Sequence, residues 1–131
     1  VFYVFTCTPD ENTTEDAPDE FPLPLTAGII HQVDVLFQDG CLHQTYLKIF
    51  HAGFQVWPSN RGEEFRGNAT VVSFREFYEL EPGDAILTAK TWTDLAAADI
   101  KEVIIQIGLL PKRIIQPMAF DELLAAAAGI E

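Results

Sequence analysis

Basic residues are scarce in this chain: 8 Lys and Arg stand against 20 Asp and Glu in 131 residues, a formal charge of -12 with histidine neutral. Affinity for a phosphate backbone rests on cationic contacts that release counterions. Direct nucleic-acid binding is therefore excluded as a main role, and the acidity reads as solubility and repulsion from like surfaces. Cysteine is limited to Cys7 and Cys41, too few for a disulfide framework and too far apart for a CxxC zinc pair. Both read as small core residues. No apolar run reaches the roughly 18 to 20 residues that a membrane span needs, so no membrane partner is expected. Internal repeats, GxSxG and HExxH are also missing, which removes the usual serine-hydrolase and zinc-peptidase signatures.

What is present is apolar and β-forming. Hydrophobic residues make up 48% of the chain, ten Phe among them, which excludes global disorder and is enough for one domain with its own core. "VFYVFTCT" (1–8) is aromatic and β-branched and reads as a strand. "PDENTTEDAPDE" (9–20) carries six acids and no base. With no apolar period it reads as a solvated, extended arm, able to stretch up to about 40 Å and reach a neighbouring subunit. In "GIIHQVDVLF" (28–37) Ile29, Val33, Val35 and Phe37 are expected on one face, with His31 beside them, and Gln32 and Asp34 on the other. "LHQTYLKIF", "ATVVSF", "DAILTAKTW" and "KEVIIQIGLL" are further strands, the last with Val103, Ile105, Ile107 and Leu109 facing one way. Short strands separated by Gly, Pro, Asn and Asp favour a sandwich or small barrel. One short helix is expected in "FDELLAAAAGI", with Asp121 as N-cap and Gly129 as C-cap. At two turns it must dock on something to persist.

Several patterns invite a chemical reading. His31, His43 and His51 would make a metal barrel if they converged. His43 and His51 lie eight residues apart on a strand rising roughly 3.3 Å per residue, so one ion cannot hold both without a bend. Histidines satisfied at strand ends or at a subunit contact are the plainer reading, and no metal or other cofactor is expected. Glu76, Glu79 and Glu81 with Arg75 could supply a carboxylate pair, but acids cluster without function in so acidic a chain. Trp57, Trp92, Tyr78 and Phe54 could stack on sugar rings, although tryptophan on short strands is usually core. "NTT" at Asn12 and "NAT" at Asn68 match the glycosylation sequon, which acts only in a secreted eukaryotic chain. "HAGFQVWPSN" (51–60) reads as a strand bent at Gly53 and stopped by Pro58-Ser59-Asn60. Its His51 and Gln55, set among aromatics, suit a hydrogen-bonded interface as well as an ordinary core strand.

Four of these segments resemble a set of small proteins encoded by tailed bacteriophages and their uncultured relatives. That pattern runs roughly G-I-I-x-x-V-x-V-x-F-P-P-G-C, then I-F-x-G-G-x-Q-L-x-P-S-N, then x-F-x-E-x-Y-E-L with a strand ending in W-N, and closes on G-V-L-P. The counterparts are "GIIHQVDVLFQDGC", "LKIFHAGFQVWPSN", "SFREFYELEPGDAILTAKTW" and "IIQIGLLP", spanning about residues 25 to 111. Gln38-Asp39, Ala52-Gly53 and Thr93 stand where the pattern has Pro-Pro, Gly-Gly and Asn, departures that fall mostly in turns and bear on loop geometry more than on the fold.

The resemblance implies a virion structural protein on the outer surface of the capsid: a cement or decoration subunit, homotrimeric, bound to the major capsid protein, and not an enzyme. The expected fold is all-β, a jelly-roll-like sandwich or small antiparallel barrel over 25–111. Residues 1–24 would form an N-terminal strand and acidic arm, of which 1–20 can be removed without unfolding the barrel, and 112–131 a tail with the short helix. Interface residues are expected at Phe2, Phe5, His51, Gln55, Trp57, Leu123 and Leu124. The competing expectation is a carbohydrate-binding module or a receptor-binding tail appendage.

Overall fold

The computed structural model describes residues 1–111. Nine strands alternate with turns: β1 (Phe2–Cys7), β2 (Asp19–Pro24), β3 (Gly28–Phe37), β4 (Thr45–His51), β5 (Phe54–Trp57), β6 (Phe65–Arg66), β7 (Thr70–Leu80), β8 (Ile86–Thr93) and β9 (Val103–Leu110). The one helical element among the described residues is a 3-10 turn at Ala97–Asp99. The strands form two antiparallel sheets. A front sheet has the order β1-β9-β3-β7, and a back sheet β2-β8-β4-β5, with β6 also paired to β4. The expected C-terminal helix, with Leu123 and Leu124, lies outside the described residues.

Alternation builds the core. In β9, Val103, Ile105, Ile107 and Leu109 point inward and are at most 2% exposed, as their period of two requires. They meet Leu47, Ile49 and Leu87 of the back sheet in one cluster, so the sheets pack face to face as a sandwich. Cys7 and Cys41 are both free thiols within that cluster. Burial pushes the Cys7 thiol from 9.0 up to about 11, because a thiolate loses its hydration there.

The expected arm is largely part of the sandwich. β1 pairs with β9 from Phe2↔Gly108 to Cys7↔Val103, and β2 pairs with β8 from Asp19↔Thr91 to Pro24↔Ile86. The acidic stretch between them passes from one sheet to the other and is anchored midway. Buried Thr13 accepts the Thr93 N–H on its Oγ1 at 3.0 Å, and Glu15 meets Lys48 Nζ at 3.2 Å. Residues 1–20 are thus not a detachable arm, since removing them takes away an edge strand. The acids stay in water while two short polar anchors hold the backbone, a mode that leaves no apolar period to read.

Two further corrections concern phase. Between Ile30 and Gln32 both ladders of β3 shift. Against β9 His31 is an extra, bulged residue, while against β7 two residues, Glu76 and Phe77, stand opposite it, and the bulge moves one residue of β3 out of step. Ile30 therefore points into the core with Val33 and Val35, while His31 turns outward against Phe2. The segment around Gly53 is a hairpin and not a bent strand. Ala52 and Gly53 both have positive φ, 51° and 84°, the backbone of a two-residue type I′ turn, and His51 pairs with Phe54 across it.

Candidate functional site

Three surfaces carry the residues singled out by sequence. The first is the side of the sandwich where β4 and β5 of the back sheet approach β7 of the front sheet. His51, the last residue of β4, places Nε2 3.2 Å from the Asp84 carbonyl oxygen and 3.1 Å from Asp84 Oδ1. A carbonyl can only accept, so Nε2 carries the proton. In the neutral ring Nδ1 then accepts the Tyr78 hydroxyl at 2.6 Å. Burial, and after it the Asp84 charge, push the Tyr78 phenol above its usual range, which keeps it protonated as a donor. Carboxylate, imidazole and hydroxyl stand in the order of a proton relay, but a phenol held protonated is a poor nucleophile. The arrangement fits a clamp between sheets.

Beside it Trp57 is 2% exposed. Its indole N–H donates to Glu76 Oε2 at 2.9 Å, and its ring packs on Phe74 and Tyr78 with centroids 5.7 and 5.5 Å away. Gln55 donates to the carbonyls of Pro58 and Glu63 at 2.7 and 3.2 Å, stapling the loop after β5. Both side chains are thus committed within the chain. An open groove of about 320 Å³ runs past Trp57, Phe65, Phe74, Arg75 and Glu76.

The second surface is the outer face of the front sheet. Phe2 and Val4 point outward from β1 and are 65% and 62% exposed. Phe5 has the opposite phase: it packs half-buried against the core, its ring near-parallel to Tyr3 at 6.2 Å. The ladders bring Thr6, Ile104, Leu36 and Val71 into one row across all four strands. The next row holds Val4, Gln106, Asp34 and Ser73. Its one charged side chain, Asp34, is hydrogen-bonded within the face, Oδ1 accepting from Gln32 at 3.0 Å and from the Ser73 hydroxyl. Arg75, opposite Gln32 in the following row, and Glu79 further along β7 are exposed charges of the same face, so its uncharged part is the end formed by Thr6, Ile104, Leu36 and Val71 with Phe2 and Val4 beside them.

The third surface is the outer face of the back sheet. Here Tyr46 stacks on Trp92 with centroids 5.4 Å apart, Lys48 lies 5.5 Å from the Trp92 centroid, and Lys90 lies 4.4 Å from that of Phe50. Trp92 is 5% exposed. With Trp57 also buried, neither indole presents an open face for a sugar ring to stack on.

The histidines do not converge. His31 is on the front face, His51 is in the clamp, and His43 sits exposed in the turn before β4 with φ 58°. Among the described residues no group of three or more His, Cys, Asp or Glu is placed to hold a metal ion. Sequence reasoning passed over Asn68, whose Oδ1 accepts the Gly40 and Leu42 N–H groups at 2.8 and 3.0 Å and so fixes the turn between β3 and β4. In the sequence, Asn-Ala-Thr reads only as a sequon. A lone Asn ahead of a strand is a turn signal, but the turn it would serve lies 26 to 28 residues away in sequence.

No protein-family model matches this chain, and no curated protein matches it.

Proposed function

We propose that the protein is a virion structural subunit, a jelly-roll-like cement or decoration protein that binds the major capsid protein of a tailed phage as a homotrimer on the outside of the head. Two things support this reading: the four motifs between residues 25 and 111 that resemble small phage virion proteins, and the outer face of the front sheet. The face is the observation that carries it. Exposed Phe2, Val4 and Val71 together with Leu36 and Ile104 form an apolar patch, bordered by Asp34 and Arg75, on a strongly acidic molecule. Depletion of charge at the centre with apolar and aromatic side chains is the composition of protein–protein interfaces.

A shell under internal pressure gains from many small contacts, because each one made raises the effective concentration of the next. Closed three-fold symmetry would repeat the face three times around each site. In this reading the protein contacts neither nucleic acid nor membrane, and it does no chemistry. The burial of Trp57 and Trp92 weighs against the carbohydrate-binding alternative.

The test is the copy number of the chain in purified particles by mass spectrometry. The reading expects a number comparable with that of the major capsid protein. A few copies per particle would move the protein to the tail, and its absence from particles would remove the virion role. Charge introduced on the face, as Val71→Glu, is expected to abolish particle binding with the fold intact.

A further inference from the structure

The edges of the two sheets are not treated alike. In β2, Leu25 donates its N–H to the Ala85 carbonyl at 2.9 Å, so residues of the same parity, Phe21 and Leu23, turn their backbone toward β8. Pro22 and Pro24 therefore occupy the positions that face open solvent, where a missing N–H denies a partner strand its donors. On β7 the Phe77 N–H is already taken by Glu76 Oε1 at 3.0 Å. β5 and β6 are four and two residues long. Each of these edges carries a device against pairing.

β1 carries none among the described residues. Residues 1–8 contain no charged side chain and no proline. The Leu109 N–H donates to the Val1 carbonyl at 2.7 Å, and the register is unbroken from Phe2 to Cys7. Odd residues therefore bond to β9, while Phe2, Val4 and Thr6 turn their N–H and C=O groups away from the sheet. The outward side chains of the same strand are the exposed Phe2 and Val4. An uncharged edge flanked by aromatic and β-branched residues is a template for strand addition.

We propose that β1 pairs antiparallel with β1 of a second copy about a two-fold axis, Val4 opposite the partner's Val4 and Phe2 opposite the partner's Thr6. The two four-stranded front sheets would then become one. Charge selects this occupant. At -12, two copies repel over most of their surfaces, but two β1 strands bring no like charges into opposition at any register. A cationic partner would find acids elsewhere and nothing to pair with here. The contact goes beyond the capsid reading and is separate from a three-fold interface.

The test uses the full 131-residue chain, with sedimentation velocity and amide exchange followed across a concentration series. Even-numbered species are expected to grow with concentration. Exchange at Phe2, Val4 and Thr6 should slow by about tenfold or more as they do, while Tyr3 and Phe5, already bonded to β9, stay unchanged. Val4→Pro puts on β1 the device that β2 uses and should remove both effects without altering the melting curve. If that variant does not fold, Val4→Lys serves the same purpose. Exchange at the three amides that is indifferent to concentration overturns the proposal. So do trimers that survive Val4→Pro with no even-numbered species in the parent, an outcome that leaves the capsid reading standing. Dimers lost in Val4→Pro, with no trimer present, support the pairing and overturn the trimer instead.

Discussion

His51 Nδ1 on β4 and the Tyr78 hydroxyl on β7 lie 2.6 Å apart, a side-chain bond between two sheets that share no backbone ladder along that side of the sandwich. The bond is short, half-buried and backed by Asp84 on the far nitrogen. Tyr78→Phe removes the donor and leaves Nδ1 without its partner. We expect a loss of about 1 to 1.5 kcal/mol in urea unfolding. A double-mutant cycle with His51→Ala should return a coupling of about 1 kcal/mol. Additive effects would mean that the sheets are held by packing alone.

The acidic stretch gives a contrast between two anchors. Glu15 is 57% exposed where it meets Lys48, so Glu15→Gln should cost less than about 1 kcal/mol and less still in high salt. Thr13→Ala leaves the buried Thr93 N–H without an acceptor and should cost about 1 to 3 kcal/mol. Limited proteolysis of the Thr13 variant is expected to cut within 9–18 before it cuts any strand. Equal effects of the two substitutions would show that charge, and not the threonine, fastens the segment.

Stability should fall in alkaline solution because of Cys7. Its thiol ionises near 9.0 when unfolded and near about 11 when folded, so across that window the unfolded chain has shed a proton that the folded chain keeps. Stability is therefore full below the lower value and declines as pH rises toward the upper one, by up to about 1.4 kcal/mol per pH unit. Tyr46 and Tyr78, also pushed up chiefly by burial, act in the same direction. Cys7→Val should flatten the part of the curve between about pH 9 and pH 10, as read by denaturant midpoints. An unchanged slope would place the titration elsewhere.

Two glycines differ in what a methyl group would strike. A Cβ on Gly28 would lie 2.5 Å from the Leu110 carbonyl oxygen, part of a paired backbone. On Gly108 it would lie 2.7 Å from the Phe2 ring and 2.8 Å from His31 Nε2, side chains at the surface that can swing aside. Gly28→Ala should cost about 1 to 3 kcal/mol, and Gly108→Ala clearly less while changing the exposure of Phe2. Thermal melts and Phe2 side-chain NMR would separate the two. The reverse ranking would mean that the Phe2–His31 contact is more rigid than its exposure implies.

Much of the architecture is legible in the residues. β3 begins and ends where the alternation of 28–37 does, and β9 buries the four residues its period selects. Where the reading failed, a local event had reset the rule. One bulge at His31 inverted the phase of the first third of β3. Pro22 and Pro24 hid β2, because proline argues against a strand unless its neighbours bond only on the other side. The acidic stretch hid its anchors because Thr13 and Glu15 look like any solvated polar residues until the fold brings Thr93 and Lys48 beneath them. Trp57 and Gln55 were legible as a pair worth attention, but not their engagement with Glu76, Pro58 and Glu63, which depends on the hairpin at Ala52–Gly53.

The prolines of β2 also limit what association can build. A molecule able to zip with its neighbours along both flanks of a sheet would string into ribbons without end. Here the back-sheet flank bearing Pro22 and Pro24 is mute, and a contact made through β1 about a two-fold axis uses up that edge of both front sheets, leaving β7 as the outer flank of each. A protein with so many apolar strands loses in this way one route into fibres.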